Sequence, residues 1–221
     1  MIIYVQKITI VYLQAIMGTI ERREREKRDM KGLILKTAMR LFLEEGFEKV
    51  TIRRIAEEIE YSPATIYLYF ADKDEILFAL HEQGFEKLHK LQQTVLSIKD
   101  PLERLRRHGK VYITFALKQP EYYDLMFIMR SAARKLKEDE EWTAGRRSYE
   151  FLRENVGKCI EAGYLPGGDL DIAAFSVWSL VHGIVSLIIR GRCSMFPQEH
   201  LAAIAEGALE YSMSKIGTGQ S

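Results

Sequence analysis

Apolar residues recur at helical spacing along most of this chain, and that repeat limits the fold more than any other feature. Ile34, Ala38 and Leu41 lie three and four residues apart, and the same spacing governs the C-terminal half. The sequence contains neither a two-residue hairpin signal nor a sustained alternation of apolar and polar residues. We therefore predict an all-α fold with essentially no sheet.

Capping and breaking residues divide this repeat into separate helices. Gly46 can adopt the left-handed backbone conformation that ends a helix, and Thr51 serves as the N-cap of the next helix. Ser62 followed by Pro63 marks the start of a short helix. A capping box at residues 72–75 marks the start of a long helix. Later breaks predict five more helices, at about residues 101–118, 120–135, 139–162, 170–190 and 198–214.

Length and composition fit an ordinary soluble protein with two unequal domains. The chain has 221 residues, of which 47% are apolar and 29% charged, and its formal net charge is +1. This balance argues neither for nor against nucleic-acid binding. The two cysteines, Cys159 and Cys193, lie in apolar stretches without other ligands nearby, so we predict no disulfide, no metal site and no cofactor. A reducing, cytoplasmic location is the simpler expectation.

Two apolar segments resemble membrane or export signals. Residues 172–189 are interrupted by serines and by His182 and are barely long enough to span a bilayer, so we interpret them as a buried helix. Residues 1–17 carry Lys7 in their middle and lack a basic leading region, which makes a signal peptide the less favoured interpretation. We instead expect Met17 to be the native start, with residues 1–16 as an upstream extension outside the fold.

The predicted helices group into two domains. Residues 21–80 form an N-terminal three-helix domain and residues 81–216 a larger helical one, flanked by an extension at residues 1–20 and a flexible tail at residues 217–221. The basic side chains of residues 22–28 alternate with acidic ones, which cancel most of their field. We therefore favour a solvated helix face there over an arm that enters a DNA minor groove.

Two short helices joined by a tight turn fill residues 51–70. The first is amphipathic, whereas the second is rich in hydroxyl, methyl and aromatic groups. This arrangement is typical of a helix-turn-helix, whose second helix enters the DNA major groove. Any amphipathic helix pair can imitate the pattern, so spacing alone leaves open a helix pair that binds protein instead.

The same segment resembles the signature of TetR-type transcriptional regulators. The match comprises Thr51-Ile-Arg-Arg-Ile-Ala56, Ser62-Pro-Ala-Thr-Ile-Tyr67-Leu-Tyr69-Phe70 and Asp72-Lys73-Asp-Glu-Ile-Leu77. The resemblance implies an all-helical homodimer whose N-terminal domains bind adjacent major grooves and whose C-terminal domains bind an inducer. It also implies that Thr51, Tyr67 and Lys73 contact phosphates. The expected DNA-binding residues are Thr51, Arg53, Arg54, Ser62, Pro63, Ala64, Thr65, Tyr67, Leu68, Tyr69 and Lys73.

Two residues depart from the family's pattern. Glu60 stands in the turn and Ala64 in the recognition helix, where the family usually has glycine. Glu60 also brings negative charge near the DNA. We expect the turn to form without a positive φ and at modest strain. The operator preference of relatives does not carry over to this chain.

Aromatic and methionine side chains are frequent in the second domain. Such side chains most often fill a core, but together they suit an apolar cavity between helices. Trp178-Ser-Leu-Val-His182-Gly183 resembles a Trp-x-x-x-His-Gly motif of one TetR branch. A lone histidine on an apolar helix is more often a satisfied core residue than a ligand contact. The candidate pocket residues are Tyr112, Phe115, Tyr123, Met126, Phe127, Tyr149, Phe175, Trp178 and His182.

The helix predicted at residues 170–190 is apolar almost all round, so it needs cover on two sides. One face, which includes Ile172, Phe175 and Val181, is assigned to the core of its own domain. The other fits the same helix of a second subunit, joined by the helix at residues 198–214 in a four-helix seam. The expected dimer-interface residues are Val177, Leu180, Ile184, Leu187, Leu201, Ile204 and Ala208.

The function expected from these features is ligand-controlled DNA binding. The sequence has no phosphate-binding glycine loop, no His-Glu metal motif and no serine elbow, so a helical enzyme is the weaker alternative. A twofold dimer places its recognition helices about 34–36 Å apart, which predicts a palindromic operator. A small apolar effector would alter that spacing through the helix that begins at Asp72. Relief of repression is the default hypothesis, and activation stays open.

Overall fold

All regular structure in the described part of the chain is helical, as a computed structural model shows. The structure describes residues 2–128 and 143–216, with side chains from residue 17 to residue 214. The prediction of an all-α fold is confirmed. The helices are α1 (Ile2–Glu45), α2 (Ile52–Glu58), α3 (Pro63–Tyr67), α4 (Lys73–Gln92), α5 (Pro101–Lys118), α6 (Pro120–Tyr123), α7 (Thr143–Glu161), α8 (Leu170–Ile189) and α9 (Leu201–Ile216).

Most observed helix boundaries agree with the expected ones, but the segment after Pro120 differs. Helix α6 ends at Tyr123, and the chain continues as a π-helical turn over Asp124–Ile128. Apolar spacing cannot distinguish the wider π turn from an α-helix. Residues 129–135 of the helix expected there, residues 139–142 of the next and the tail at residues 217–221 lie outside the described residues.

Helix α1 is longer than the sequence indicates. It continues without a break through Met17, although residues 1–16 were expected to stand outside the fold. Every side chain of residues 17–29 is exposed, and Arg22 pairs with Glu26 one turn later at 3.5 Å. A native start at Met17 stays a prediction.

The first of two compact units spans residues 1–77 and contains the helix-turn-helix. Helix α2 packs against both α1 and α3. The core has fully buried apolar side chains from each of the three helices, including Leu41, Ile55 and Ile66. The division falls inside α4, three residues before the boundary expected at residue 80.

The second unit, residues 78–221, is built around α5. This helix packs against α6, α7, α8 and α9. Asp100 caps its first turn by accepting from the Glu103 backbone N–H at 2.7 Å, and Pro101 occupies the first helical position. One face of α5 is buried along its whole length, from Leu102 to Ala116.

Fewer side chains of helix α8 are buried than the sequence predicts. Its buried side chains are Ala174, Val181 and Val185, whereas Ile172 is 67% and Phe175 58% exposed. The inner face therefore contains Ala174 in place of Ile172, which lies about 200° away around the helix at ~100° per residue. Among the described residues, α8 is the one helix whose length and apolar composition would allow it to cross a membrane.

Gly84 allows α4 to approach the segment after α5 closely. A Cβ atom at this position would lie 2.5 Å from Sδ of Met126 and 3.0 Å from Cδ1 of Tyr122, and Met126 is itself buried. We expect Gly84→Ala to lower the free energy of unfolding by about 1–3 kcal/mol, since overpacking outweighs the better helix propensity of alanine. Urea unfolding measures the change. Gly32→Ala is the matched control, because α1 leaves open space there, and it should stabilise by up to about 1 kcal/mol.

Candidate DNA-binding surface and ligand cavity

Side-chain caps define both helices of the helix-turn-helix. The hydroxyl of Thr51 accepts from the Arg54 backbone N–H at 3.0 Å, and the hydroxyl of Ser62 accepts from the Thr65 backbone N–H at 3.2 Å. Pro63 follows Ser62 at the first position of α3. Both caps predicted from the sequence are therefore present.

The recognition helix α3 separates buried from exposed side chains sharply. Ile66 is fully buried and Phe70 is 4% exposed, whereas Tyr67 and Leu68 are 56% and 78% exposed. Of the other expected contact residues on or beside α3, Ser62, Pro63 and Ala64 are exposed, and Thr65 and Tyr69 are half-buried. An exposed apolar Leu68 beside an exposed tyrosine is consistent with a surface that meets a partner.

The two arginines of α2 have different surroundings. Arg54 bonds Glu45 and Glu58 at 3.0 and 2.7 Å, and Arg40 also bonds Glu58. The hydrogen bond from Arg54, and after it the one from Arg40, lowers the pKa of the Glu58 carboxyl. Arg53 is 82% exposed and pairs only along the helix surface, with Glu57 at 3.0 Å. Arg53 is therefore the better placed of the two for a phosphate.

Lys73 is engaged within its own unit. Its ammonium donates to the backbone carbonyl of Phe47 at 2.7 Å and lies 4.2 Å from the centroid of the Phe47 ring. The resemblance implies a phosphate contact for this lysine, and the structure adds a role in holding the turn between α1 and α2. An ammonium group has three donors, so the two roles are compatible.

The backbone conformation of the turn in the helix-turn-helix differs from the one expected from the sequence. Glu60 has a φ of 60°, the one positive φ at a non-glycine among the described residues. The expectation that the turn forms without a positive φ was wrong. The chain must reverse within a few residues between α2 and α3, and the left-handed region, which glycine enters at no steric cost, provides that reversal.

This strained residue gives a direct stability prediction. We expect Glu60→Gly to raise the free energy of unfolding by about 1 kcal/mol, because the steric cost of a left-handed Cβ is removed. Thermal unfolding measures the gain. Glu60→Gln is the control, since it removes the charge and keeps the Cβ. An equal gain in both variants would assign the effect to charge and contradict the strain.

The second unit contains a largely apolar cavity of about 450 Å³. This volume is in the range of sites for small organic ligands. Helices α4, α5, α7, α8 and α9 and the turn after α6 contribute its walls. The lining consists of Phe85, Leu88, Gln92, Leu105, His108, Gly109, Tyr112, Phe127, Gly145, Arg146, Ser148, Tyr149, Leu152, Phe175, Val177, Trp178, Val181 and Met213.

Five of the nine candidate pocket residues line this cavity. They are Tyr112, Phe127, Tyr149, Phe175 and Trp178. The other four, Phe115, Tyr123, Met126 and His182, lie outside the lining. Sequence reasoning missed the α4 contribution and the polar side chains, because apolar periodicity identifies neither a polar lining residue nor the cavity side of a helix.

His182 takes part in a hydrogen-bonded network behind the cavity wall. The hydroxyls of Tyr112 and Tyr123 lie 3.1 and 3.2 Å from its Nδ1, and Trp178 Nε1 donates to the Tyr112 hydroxyl at 3.4 Å. Burial lowers the pKa of His182 and raises that of Tyr112. This arrangement fits the satisfied core histidine weighed above, and it fixes the position of Tyr112 in the cavity wall.

A second polar group lies in the cavity wall itself. Gln92, His108 and Ser148 are all buried, and Gln92 on α4 bonds both His108 on α5 and Ser148 on α7. Burial lowers the pKa of His108 to about 4. Its imidazole is therefore neutral at pH 7.

Buried neutral histidines make stability depend on pH. Burial lowers the pKa of both His81 and His108 from 6.5 to about 4, so the unfolded chain binds these protons first as the pH falls. The free energy of unfolding is therefore highest above pH 6.5 and falls as the pH drops below that value. At pH 5 each histidine has lowered it by about 2 kcal/mol. Urea unfolding at pH 7.5 and pH 5 tests this, and His108→Phe should remove about half of the difference. Equal stability at the two pH values would contradict it.

The expected dimer-interface residues occupy different environments within one chain. Leu187 is 54% exposed, and Leu180, Ile184, Ile204 and Ala208 are half-buried. Leu201 is buried at 6% exposure, and Val177 lines the cavity. Exposed apolar surface thus remains on both α8 and α9, where Tyr211 is 70% exposed.

Family models match both units of the chain. Residues 34–80 match the bacterial regulatory proteins of the tetR family, and residues 105–210 match the tetracyclin repressor-like C-terminal domain. The first match contains the helix-turn-helix and the second contains most of the cavity lining.

Characterised relatives carry regulator names. An HTH-type transcriptional repressor of Mycobacterium tuberculosis is 30% identical over 112 residues, which are 51% of this chain and 54% of that protein. The HTH-type transcriptional regulator HbdR of Aromatoleum sp. is 25% identical over 154 residues, 67% of this chain and 66% of that protein. The matched part thus spans about half to two thirds of these relatives.

Solved structures of regulators share the fold over nearly their whole length. The fatty acid degradation regulator FadR of Bacillus halodurans has a TM-score of 0.68 at 18% identity, covering 86% of this chain and 95% of that one. FadR of Bacillus subtilis in complex with stearoyl-CoA has a TM-score of 0.66 at 16% identity, covering 86% and 98%. The helix-turn-helix, the helical second unit and the matches to both family models lead to one conclusion: the chain belongs to the TetR family of bacterial helix-turn-helix transcriptional regulators.

Proposed function

We propose that this protein is a repressor that binds a palindromic operator as a homodimer and is released by a small apolar effector. The observation that carries the proposal is the exposed surface of α3, mounted on a packed helix-turn-helix by the buried Ile66 and Phe70. A helix fixed in this way presents its outward side chains to base edges and phosphates.

The DNA surface is proposed to combine backbone and groove contacts. Thr51, Arg53 and Tyr67 are exposed and carry donors suited to phosphate oxygens. Pro63, Ala64 and Leu68 are exposed apolar groups suited to thymine methyls in the major groove. Lys73 adds a cation whose position is fixed by Phe47.

The dimer is proposed to bury the exposed apolar faces of α8 and α9. Leu187 and Tyr211 are more than half exposed in the single chain, and half-buried Leu180, Ile184 and Ile204 continue this surface. A second copy covers such a face in a self-complementary manner. This assignment accounts for the apolar character of α8 without a membrane.

The effector is proposed to occupy the cavity of about 450 Å³ in the second unit. Aromatic and aliphatic side chains dominate its lining, which suits an apolar molecule. Phe85, Leu88 and Gln92 line it from α4, the helix that begins at Lys73 in the first unit. A ligand that displaces this helix would favour states with a different spacing of the recognition helices.

Deletion of the gene in its host tests the regulatory role. We expect a small set of transcripts to rise, and we expect the wild-type gene supplied on a plasmid to restore repression. A plasmid copy carrying Tyr67→Ala should fail to restore it at equal protein level. Transcripts that fall in the deletion would identify an activator, and unchanged transcripts under all growth conditions would contradict the proposal.

A further inference from the structure

The exposed face of the recognition helix α3 is apolar at its middle. Ile66 is fully buried and defines the inward side of the helix. At ~100° per residue, Ala64 and Leu68 each lie about 160° around the helix from Ile66. Leu68 follows the last residue of α3 with a φ of −70° and a ψ of −16°, so the helical spacing still applies to it. Ala64 and Leu68 therefore lie one turn apart, opposite the buried side.

Both of these side chains are accessible to a partner. Leu68 is 78% exposed, the highest value for a large apolar side chain among residues 17–128 and 143–214, and Ala64 is exposed as well. A recognition helix enters the major groove with its exposed face, so the middle of that face comes closest to the base edges. Ala64 and Leu68 are thus the α3 side chains best placed to contact bases.

Hydrogen bonding from α3 to bases is limited. Residues 61–70 contain no Arg, Lys, Asn, Gln, Asp or Glu, which are the side chains that make the strongest hydrogen bonds to base edges. The hydroxyls of Ser62 and Thr65 lie 3.0 Å apart, so one of them donates to the other within the protein. At ~100° per residue, Tyr67 lies about 80° from the middle of the exposed face, which suits a phosphate beside the groove better than a base.

We propose that α3 recognises its operator through the methyl groups of thymine, which Leu68 and Ala64 contact. The C5 methyl is the apolar group that thymine presents in the major groove, whereas the other three bases are distinguished there by hydrogen-bonding groups. A polar edge of guanine or cytosine placed against Leu68 would lose its water without gaining a hydrogen bond. This inference rests on the proposed function and names the feature of the DNA that the same surface recognises.

Deoxyuridine in place of thymidine isolates this methyl group. Uracil lacks only the C5 methyl of thymine and keeps its pairing and its acceptor oxygens. The probe is the duplex that the wild-type protein enriches from a random pool, in which each thymine of a half-site and its symmetry mate are replaced in turn. Fluorescence anisotropy should show about tenfold weaker binding, equivalent to ~1.4 kcal/mol, at one or two positions of each half-site. Uracil outside the half-sites should leave the affinity unchanged.

Leu68→Ala should remove the effect of uracil at one of these positions. Because the leucine contact is already lost, this variant should bind the thymine duplex about tenfold more weakly than wild type does, and uracil should then change its affinity by at most about twofold. Thermal unfolding checks that the variant is folded, as its exposure predicts. Leu33→Ala is the matched control, because Leu33 is an exposed leucine of α1 in the same unit. It should keep the full effect of uracil.

Equal affinity for thymine and uracil at every position would overturn the proposal. A half-site without thymine would overturn it too, as would an undiminished effect of uracil at every position in Leu68→Ala. In each of these cases the protein still binds a specific duplex, so the proposed function stands. A folded dimer that enriches no duplex would instead contradict the proposed function, and this inference with it.

Discussion

Tyr67→Ala is expected to lower operator affinity about a hundredfold while leaving the folded protein intact. The side chain is 56% exposed, so its loss removes little core packing. A contact to base or phosphate is worth about 1–3 kcal/mol, and a twofold dimer loses it at both half-sites. Fluorescence anisotropy with a labelled operator measures the affinity, and thermal unfolding measures the stability.

The neighbouring residue provides the control for Tyr67. Ile66 is fully buried, so Ile66→Ala should lower the free energy of unfolding by about 2–5 kcal/mol. Thermal unfolding therefore separates lost contacts from lost folding. If Tyr67→Ala binds the operator as tightly as wild type, the assignment of α3 as the recognition helix is contradicted.

Leu187→Glu should prevent dimerisation and thereby weaken operator binding by about a hundredfold, ~3 kcal/mol. Leu187 is 54% exposed on α8, and the proposed seam would bury the new carboxylate against apolar side chains without a partner. Sedimentation velocity measures the oligomeric state, and anisotropy with the operator measures the affinity.

Leu96→Glu is the matched control, since Leu96 is 51% exposed in the same unit but outside the proposed seam. This variant should remain dimeric with unchanged affinity. A Leu187→Glu protein that sediments as a dimer would place the interface elsewhere.

The order of the helices could be predicted from local chemistry. Thr51 and Ser62 cap the helices that the sequence assigned to them, and Gly46 has a φ of 86° at the expected stop. Caps and stops act within a few residues of the chain, so a sequence pattern contains them completely.

Features that depend on distant residues could not be predicted. Gln92 and Ser148 are 56 residues apart in the chain and meet only in the folded unit. The sequence showed His108 as one of five scattered histidines. Likewise, the contact of Lys73 with Phe47 joins residues 26 positions apart. Apolar spacing carries no information on such pairs.

The positive φ of Glu60 could not be predicted from the sequence for a different reason. A glutamate in the turn suggested ordinary backbone, but the packing of α2 against α3 imposes the left-handed conformation on it. Tertiary structure thus overrides the preference of a single residue, at a cost that the surrounding contacts offset.

Selection of bound duplexes from a random DNA pool measures whether the dimer recognises a specific DNA sequence. The protein is first freed of bound small molecules by unfolding and refolding, and its dimeric state is verified. We expect enrichment of a palindrome whose half-sites are about one DNA turn apart. We expect the Tyr67→Ala protein to enrich no sequence. A folded wild-type dimer that enriches no sequence would contradict DNA recognition by this helix-turn-helix.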